Sequence, residues 1–525
     1  MRYTLGIELS TQSAKAVVLN ADNGTIVHTS LLEYDKAFPS YGTVNGVLPN
    51  ADTSIRRTSP RMLIEALDGI FAALKMSCDL TAVGAIKIDG MQHCTVYANG
   101  TLSSVLASLP SADSLVGHIA PALTRTGSPI WEDRSTRTEA SALADALSAY
   151  GGIEKVTANA AELRFPASQI MKWAKENRAE YDATAHIMLL SAFATSILAG
   201  KIAPVDTGDG WGTNINTADI AHPAWDVRAV NAVESYADVN DLLPKLGAIT
   251  HYDEAVGVIS PYFTKKYGIN SSAIVLAGTG DNPATLLGAG GSMVISLGSS
   301  YTVNGAMSPV SIPKDRAYNV FGFTKGNAMA LTCFTNGGKL HEEFVKRYVS
   351  KGVTPSADDW KRYASLCGGG RLRADEPLML PYLFDESVPV REAGIVRDGF
   401  SDADAAVNIR ALPISQALSL AMHSSHVRAS SSFAVVGGGA KNVFLRQCIS
   451  DMFNAETYCI DNASIAAPLG CAVAAAKQLL GISYEEAFTR YVTMDEKTVL
   501  RPSADNSAAC TALMKRYREL GSASK

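Results

Sequence analysis

Three stretches of this 525-residue sequence set small or acidic residues at the ends of apolar runs. Transfer of a phosphoryl group needs donors around the phosphates, a metal held by carboxylate or water, and a base for the incoming hydroxyl. In the first stretch, Gly6 to Lys15, the turn holding Ser10 and Thr11 can aim backbone N–H groups at a phosphate, while Glu8 can reach a Mg²⁺ ion through water. In the second, Ile274 to Ala284, an apolar run ends in Gly278-Thr279-Gly280 and is followed by Asp281. An Asp here serves as a helix cap or as a base, two roles that can coexist, and the glycines before it leave room for substrate. In the third, Gly437-Gly438-Gly439 precedes Asn442, and the missing side chains would let a nucleoside lie against the backbone. Taken singly, a hairpin with a solvated acid, a cap and a tight strand-to-helix connection account for all three. The Gly-x-x-x-x-Gly-Lys-Ser/Thr phosphate loop is absent.

For a polyhydroxylated acceptor, the polar clusters are Asp89-Gly90-Met91-Gln92-His93, Trp131-Glu132-Asp133-Arg134 and Arg164. Each borders an apolar stretch, where binding loops sit at strand ends. A lone His is more often a structural hydrogen-bonder than a ligand contact, and the eight histidines other than His93 show no pairing.

These residues need rigid elements behind them. Residues 3–9 and 14–20 read as strands joined by Ser10-Thr11-Gln12-Ser13, and Asn23-Gly24 marks a hairpin. Ser59-Pro60 opens a helix whose apolar positions run from Met62 to Leu74, and Val83–Ile88 reads as the next strand. Met293–Val303 repeats the opening theme of strand, small polar turn, strand, so a second domain is expected to begin there. Phe433–Ala440 is a strand running into glycines, followed by helical spacing from Asn442 to Phe453. Residues 351–412, including Gly368-Gly369-Gly370, show poor periodicity and read as irregular surface. The last forty residues read as a helix, a strand or loop, and a helix over Ala508–Leu520. The expected fold is α/β, with residues 1–290 carrying the acceptor site and base, and residues 291–525 carrying the nucleotide site and a helical tail.

Composition narrows the partners. At 525 residues the chain exceeds the roughly 250–300 at which single cores stop growing, so two large domains are expected. With 47% apolar and 18% charged residues and a net charge of -5, it has a globular balance and no broad positive field for nucleic acid or anionic lipid. The eight cysteines are scattered, with no C-x-x-C pair, and read as reduced thiols. An acid at position 8 argues against a secretory segment, and the Ile465–Ala476 apolar stretch reads as too short to span a bilayer. The terminal Ala523-Ser524-Lys525 lacks the final Leu of the common peroxisomal address. A cytoplasmic protein, monomer or homodimer, with no membrane or nucleic-acid partner, is the expectation.

In their order along the chain, these segments resemble the signature set of the FGGY carbohydrate kinases, within the actin, hexokinase and acetate-kinase superfamily. Arg164-Phe165-Pro166-Ala167-Ser168-Gln169-Ile170, then Pro204 to Gly210, then Gly280-Asp281-Asn282-Pro283-Ala284 look like the xylulokinase branch, particularly its eukaryotic-type members. The likeness covers about residues 3–345 and 430–480. It implies two ribonuclease-H-like domains flanking a cleft, ATP and Mg²⁺ as cofactors, and phosphorylation of a small ketose such as D-xylulose on its C5 hydroxyl. Ribulose, glycerol, or sugar binding without turnover are the alternatives. It also implies sugar contacts at His93, Arg164, Asp281 and Asn282, with Asp281 the base. On the nucleotide side it implies contacts at Ser10, Thr11, Gly298, Ser299, Trp360, Gly438, Gly439 and Asn442. Three positions depart from the family pattern: Glu8 where Asp is usual, Cys94 in place of a glycine, and Ser299 where Thr is common.

Overall fold

The N-terminal hairpin is present in the computed structural model, which describes residues 1–307, 317–369, 371–427 and 430–523; Gly370, Ser524 and Lys525 lie outside that set. Tyr3–Leu9 (β1) pairs antiparallel with Ser13–Asn20 (β2), which pairs antiparallel with Ile26–Glu33 (β3). Helix α1 (Pro60–Ser77) starts as its sequence dictates: Ser59 Oγ accepts the Met62 N–H at 3.4 Å, and Pro60 fills the first turn. Its Met62, Leu63, Leu67, Ile70, Phe71 and Leu74 are buried, each contributing roughly 1.5–3 kcal/mol relative to exposure. The chain then returns as β4 (Val83–Gly90), parallel to β1. Helices α2 (Pro166–Glu176) and α3 (Leu190–Ala199) follow, and Ala255–Val258 (β5), Ile274–Leu276 (β6) and Thr279–Gly280 (β7) complete the sheet. Its order is β5-β6-β4-β1-β2-β3, with β7 also beside β4.

Helix α4 (Asp281–Gly288) leads into a second seven-stranded sheet. Its strands are β8 (Met293–Leu297), β9 (Tyr301–Met307), β10 (Asn319–Phe323) and β11 (Asn327–Phe334). After helices α5 (Gly338–Tyr348) and α6 (Ala357–Cys367) comes a separate hairpin, β12 (Met379–Tyr382) with β13 (Gly394–Arg397), then helix α7 (Ala405–Met422). The sheet resumes with β14 (Ser432–Val436), helix α8 (Val443–Phe453) and β15 (Glu456–Ile460). Helices α9 (Ala466–Leu480) and α10 (Tyr484–Tyr491), strand β16 (Met494–Leu500) and helix α11 (Ser507–Ala523) end the chain. The sheet order is β10-β11-β9-β8-β14-β15-β16. Both sheets share one six-stranded plan of three antiparallel strands, two further strands parallel to the first and an antiparallel edge, to which the first sheet adds β7 beside β4 and the second adds β10 antiparallel to β11.

Residues 351–412 are more ordered than their pattern implies. They hold α6, the β12–β13 hairpin and the first part of α7. Helix α7 escapes a periodicity reading because from Asn408 to Leu420 every residue but Arg410 is buried, and because it carries Pro413 in its interior. Helix α9 belongs to the second half by sequence but packs on β1, β2 and β4 of the first sheet, with Leu469, Ala472 and Val473 against Val17 and Leu19. The stretch Ala463–Leu480 is long and apolar enough by length and composition to cross a membrane; here most of it is buried inside the fold. Its small residues serve close approach. A Cβ on Gly288 would lie 1.9 Å from the Ala466 carbonyl oxygen, and one on Gly470 would lie 1.9 Å from that of Ala284, so α4 and α9 cross backbone to backbone.

Candidate active site

Parallel strands expose their C-terminal ends on one edge of a sheet, and ligands bind beyond that edge. In the first sheet the strand ends carry acids. Glu8 stands beside Asp89 in the β1–β4 register, and Asp89 stands beside Thr279, two residues before Asp281. Lys15, across the hairpin, donates to Glu8 Oε2 at 2.8 Å. Asp89 is fully buried, with Oδ1 unpartnered and Oδ2 3.4 Å from Cys471 Sγ on α9. Burial, then the charges of Glu8 and Asp281, push its carboxyl well above the usual carboxylate range.

The choice between cap and base at Asp281 is open to inspection. Gly280 is the N-cap of α4 and Asp281 its first residue, and the Asp281 carboxylate accepts the backbone N–H of Asn282 in the first turn, so a local helix-end bond and a free acid function coexist there. Burial pushes Asp281 up to about 7, the nearby Glu8 charge adds to this, and hydrogen bonds from the backbone N–H groups of Asn282 and Gln92 work against it. Asn282 Nδ2 donates to Asp281 Oδ1 at 2.9 Å and to Gln92 Oε1 at 2.7 Å. Gln92 Nε2 in turn donates to the Gly208 carbonyl at 3.2 Å.

Beneath this turn lies a polar bed. Lys87, buried on β4, donates to the carbonyls of Ala277 at 2.5 Å and Tyr252 at 2.7 Å, with Asp206 Oδ2 at 3.4 Å. Burial pushes Asp206 up to about 7 even with Lys87 beside it. Its Oδ1 accepts the Asp209 N–H at 3.1 Å, and Asp209 Oδ2 accepts the Ser191 hydroxyl at 2.5 Å. The loop that carries Asp281 is thus held from below at Ala277.

His93 adopts a left-handed backbone with φ +68° and stacks on Phe165 at 4.4 Å between ring centroids. Burial, and then the Arg164 charge, lower it to about 3, so the ring is neutral. Nδ1 lies 2.9 Å from the Gly212 carbonyl, which can only accept; Nδ1 therefore carries the proton and Nε2 is left as an acceptor. Arg164 is half-buried, donating through Nη2 to Asn319 Oδ1 at 2.9 Å, with Nη1 3.6 Å from Glu162 Oε2. Cys94 is buried behind His93, and burial pushes its thiol up. His93 and Arg164 thus adjoin through Phe165, and Gln92 links His93 to the Asp281-Asn282 pair.

Glycines take the place of acids in the second sheet. β8 and β14 run parallel, with Ser296 beside Val436, so the Gly298-Ser299 turn and the Gly437–Gly439 turn leave the same edge side by side. The Gly298 and Ser299 carbonyls accept the Gly338 and Lys339 N–H groups at 2.9 and 3.1 Å, anchoring α5. Gly437 has φ +90°, and a Cβ there would lie 2.8 Å from the Leu297 backbone. Gly438 faces open space. Asn442 caps α8, its Oδ1 accepting the Leu445 N–H at 3.2 Å, and its Nδ2 is 3.8 Å from Cys367 Sγ. Trp360 precedes Cys367 by seven positions on α6, two turns along one face, and packs edge-on against Tyr363 at 6.1 Å. In the first hairpin, the Ser10 N–H and hydroxyl both donate to the Ser13 carbonyl at 3.0 and 2.8 Å, and Thr11 Oγ1 accepts the Trp131 indole N–H at 2.9 Å.

Among the described residues, no group of three or more His, Cys, Asp or Glu side chains could cage a metal ion. Glu8, already paired with Lys15, fits a Mg²⁺ that arrives on phosphates and keeps its waters better than a metal held by the protein alone. Sequence reasoning gave no role to Lys87, Asp209, Asn159 or Asn319. Asp206 and Asp209 were in plain view within Pro204–Gly210, and two acids in a run that also holds Thr207 and two glycines were the available signal.

No family model matches the chain. A probable D-xylulose kinase A from Aspergillus oryzae is 30% identical over 478 residues, covering 83% of this chain and 82% of the relative. Among solved structures, a "xyloylose kinase" from Brucella ovis superposes with a TM-score of 0.80 at 18% identity, over 99% of each chain. A gluconate kinase from Lactobacillus acidophilus superposes with a TM-score of 0.78, also at 18% identity, over 99% of this chain and 98% of the other. The duplicated sheets and the match to these structures give the chain the two-domain, actin/hexokinase-like fold of these kinases. Within that class, the chain belongs to the D-xylulose kinase family.

Proposed function

We propose that this chain transfers the terminal phosphoryl group of Mg²⁺ATP to the C5 hydroxyl of D-xylulose. The observation that carries the reading is Asp281: a buried carboxylate at a strand-end edge, oriented by Asn282 and raised to about 7. A base with a pKa near the working pH combines a useful deprotonated fraction with real proton affinity. Residues 1–290 supply the sugar side and residues 291–525 the nucleotide side, with α9 returning to brace the first sheet.

The chemistry follows from the side chains. His93 Nε2 accepts a sugar hydroxyl, Arg164 donates to sugar oxygens, and Asn282 holds Asp281 with one oxygen toward the cleft. Asp281 takes the proton from the C5 hydroxyl as that oxygen attacks the γ-phosphorus, which departs from the β-phosphate oxygen in line. The Gly298-Ser299 and Gly438-Gly439 turns admit the nucleotide against bare backbone, Ser10 and Thr11 border the phosphates, and Trp360 and Asn442 flank the adenosine. Mg²⁺ would neutralise phosphate charge, with Glu8 its neighbour through water. The eight free thiols fit a reducing compartment, and we place the protein in the cytoplasm as a monomer or homodimer.

The gluconate kinase match shows that the fold alone does not choose the acceptor. A coupled ADP assay across C3 to C6 polyols, ketoses and sugar acids, with Asp281→Ala as the blank, tests class and acceptor together. Turnover highest with D-xylulose and abolished in the blank is the expected result. Preference for another acceptor reassigns the substrate, and full turnover by Asp281→Ala removes the base.

A further inference from the structure

Strand β10 is the edge of the second sheet, yet it faces residues of the first half of the chain. The fully buried Asn159 side chain pairs with Val320 as a neighbouring strand would: Oδ1 accepts the Val320 N–H at 2.8 Å, and Nδ2 donates to the Val320 carbonyl at 2.9 Å. Nδ2 also donates to the Trp211 carbonyl at 2.9 Å. Gly322 packs on Thr207 so closely that a Cβ would lie 2.3 Å from the Thr207 Cβ. Phe321, between them, brings its ring 6.1 Å from that of His93. The edge is therefore partnered at Val320 and packed at Gly322 by residues of the first half of the chain.

One position earlier, Asn319 uses its side chain differently. Oδ1 accepts from Arg164 Nη2 at 2.9 Å, and Nδ2 is directed at Glu162 Oε1 at 3.4 Å and Asn159 Oδ1 at 3.5 Å. A guanidinium is a rigid planar fork, so pinning one terminal nitrogen with Asn319, with Glu162 beside the other, fixes where its remaining donors point. The strand does not depend on this bond, because the Asn159 amide already satisfies the Val320 backbone and Asn319 sits in register with Leu331.

We propose that Asn319 is a positioning residue for Arg164, so that the sugar pocket of the first lobe is completed by the edge strand of the second. The inference rests on the reading of Arg164 as a sugar contact.

The test is steady-state kinetics with D-xylulose and ATP for wild type, Asn319→Ala, Arg164→Ala and the double variant. The ATP KM and thermal unfolding serve as controls for folding. Loss of one charge-assisted hydrogen bond predicts a D-xylulose KM raised about tenfold in Asn319→Ala, with kcat within about twofold and the ATP KM unchanged. In the Arg164→Ala background the same substitution should add nothing, a non-additivity that a merely structural Asn319 would not give. A raised KM in Arg164→Ala with none in Asn319→Ala, or strictly additive effects, overturns the inference while leaving Arg164 a sugar contact. An unchanged KM in Arg164→Ala removes that contact and the inference with it. If Asn319→Ala does not fold, Asn319→Ser, which keeps a shorter hydroxyl, is read by the same criteria.

Discussion

The two sheets of this protein are built alike and finished differently. β1, β4 and β7 end on or beside Glu8, Asp89 and Asp281, whereas β8 and β14 run into Gly298 and Gly437–Gly439. One edge concentrates acids where burial makes charge costly, so the carboxyls of Asp89 and Asp281 are pushed up. The other edge removes side chains and leaves backbone and open space. Under the proposed function, the duplicated architecture is put to proton chemistry at one edge and nucleotide accommodation at the other, and the division lies in the few residues after each strand.

Removing the base should break this comparison most severely. Asp281→Ala is expected to lower kcat by at least 10²- to 10⁴-fold, the range general-base catalysis supplies, while isothermal titration still detects sugar binding. Next comes the bed below it. Lys87→Met leaves Asp206 buried without its counter-charge and should cost about 3–5 kcal/mol of stability, read from urea denaturation midpoints, and Lys87→Met/Asp206→Asn should recover part of the loss. The pH profile sharpens the contrast further. Asp281 is raised to about 7 and, as the proposed base, acts only after losing its proton, so kcat/KM should fall about tenfold per unit as pH drops below 7 and level off above it. The smallest effect is expected on the glycine side: Trp360→Ala should raise the ATP KM about fivefold, the worth of an aromatic contact near 1 kcal/mol, without moving the sugar KM.

How much of this was legible in the sequence depended on distance along the chain. Ser59-Pro60, the β1–β2 hairpin, and the β14-to-α8 unit announced themselves because caps, turns and periodicity are local signals. The duplicated strand plan was suggested by Met293–Val303, and the pairing order makes it explicit. Helix α7 was missed because a helix buried on nearly every side has no polar face to reveal its period. The polar supports were missed for another reason. Lys87 meets Asp206 across 119 positions, and Arg164 meets Asn319 across 155, so no spacing rule connects them. Asp281 stood out as cap or base, and His93 and Arg164 as members of polar clusters, whereas Asn282 and the sugar-contact roles came from family resemblance; the adjacency of all four became visible with the fold.

The bare crossing of α4 over α9 bears on how the halves can move. Interlocked side chains would tie a rotation to a discrete repacking, whereas two smooth backbones offer no teeth to disengage. A single methyl group introduced at position 288 or 470 would wedge this bearing apart. Neither position bears any group that a sugar or a nucleotide would touch, yet such a wedge should register in the binding of both.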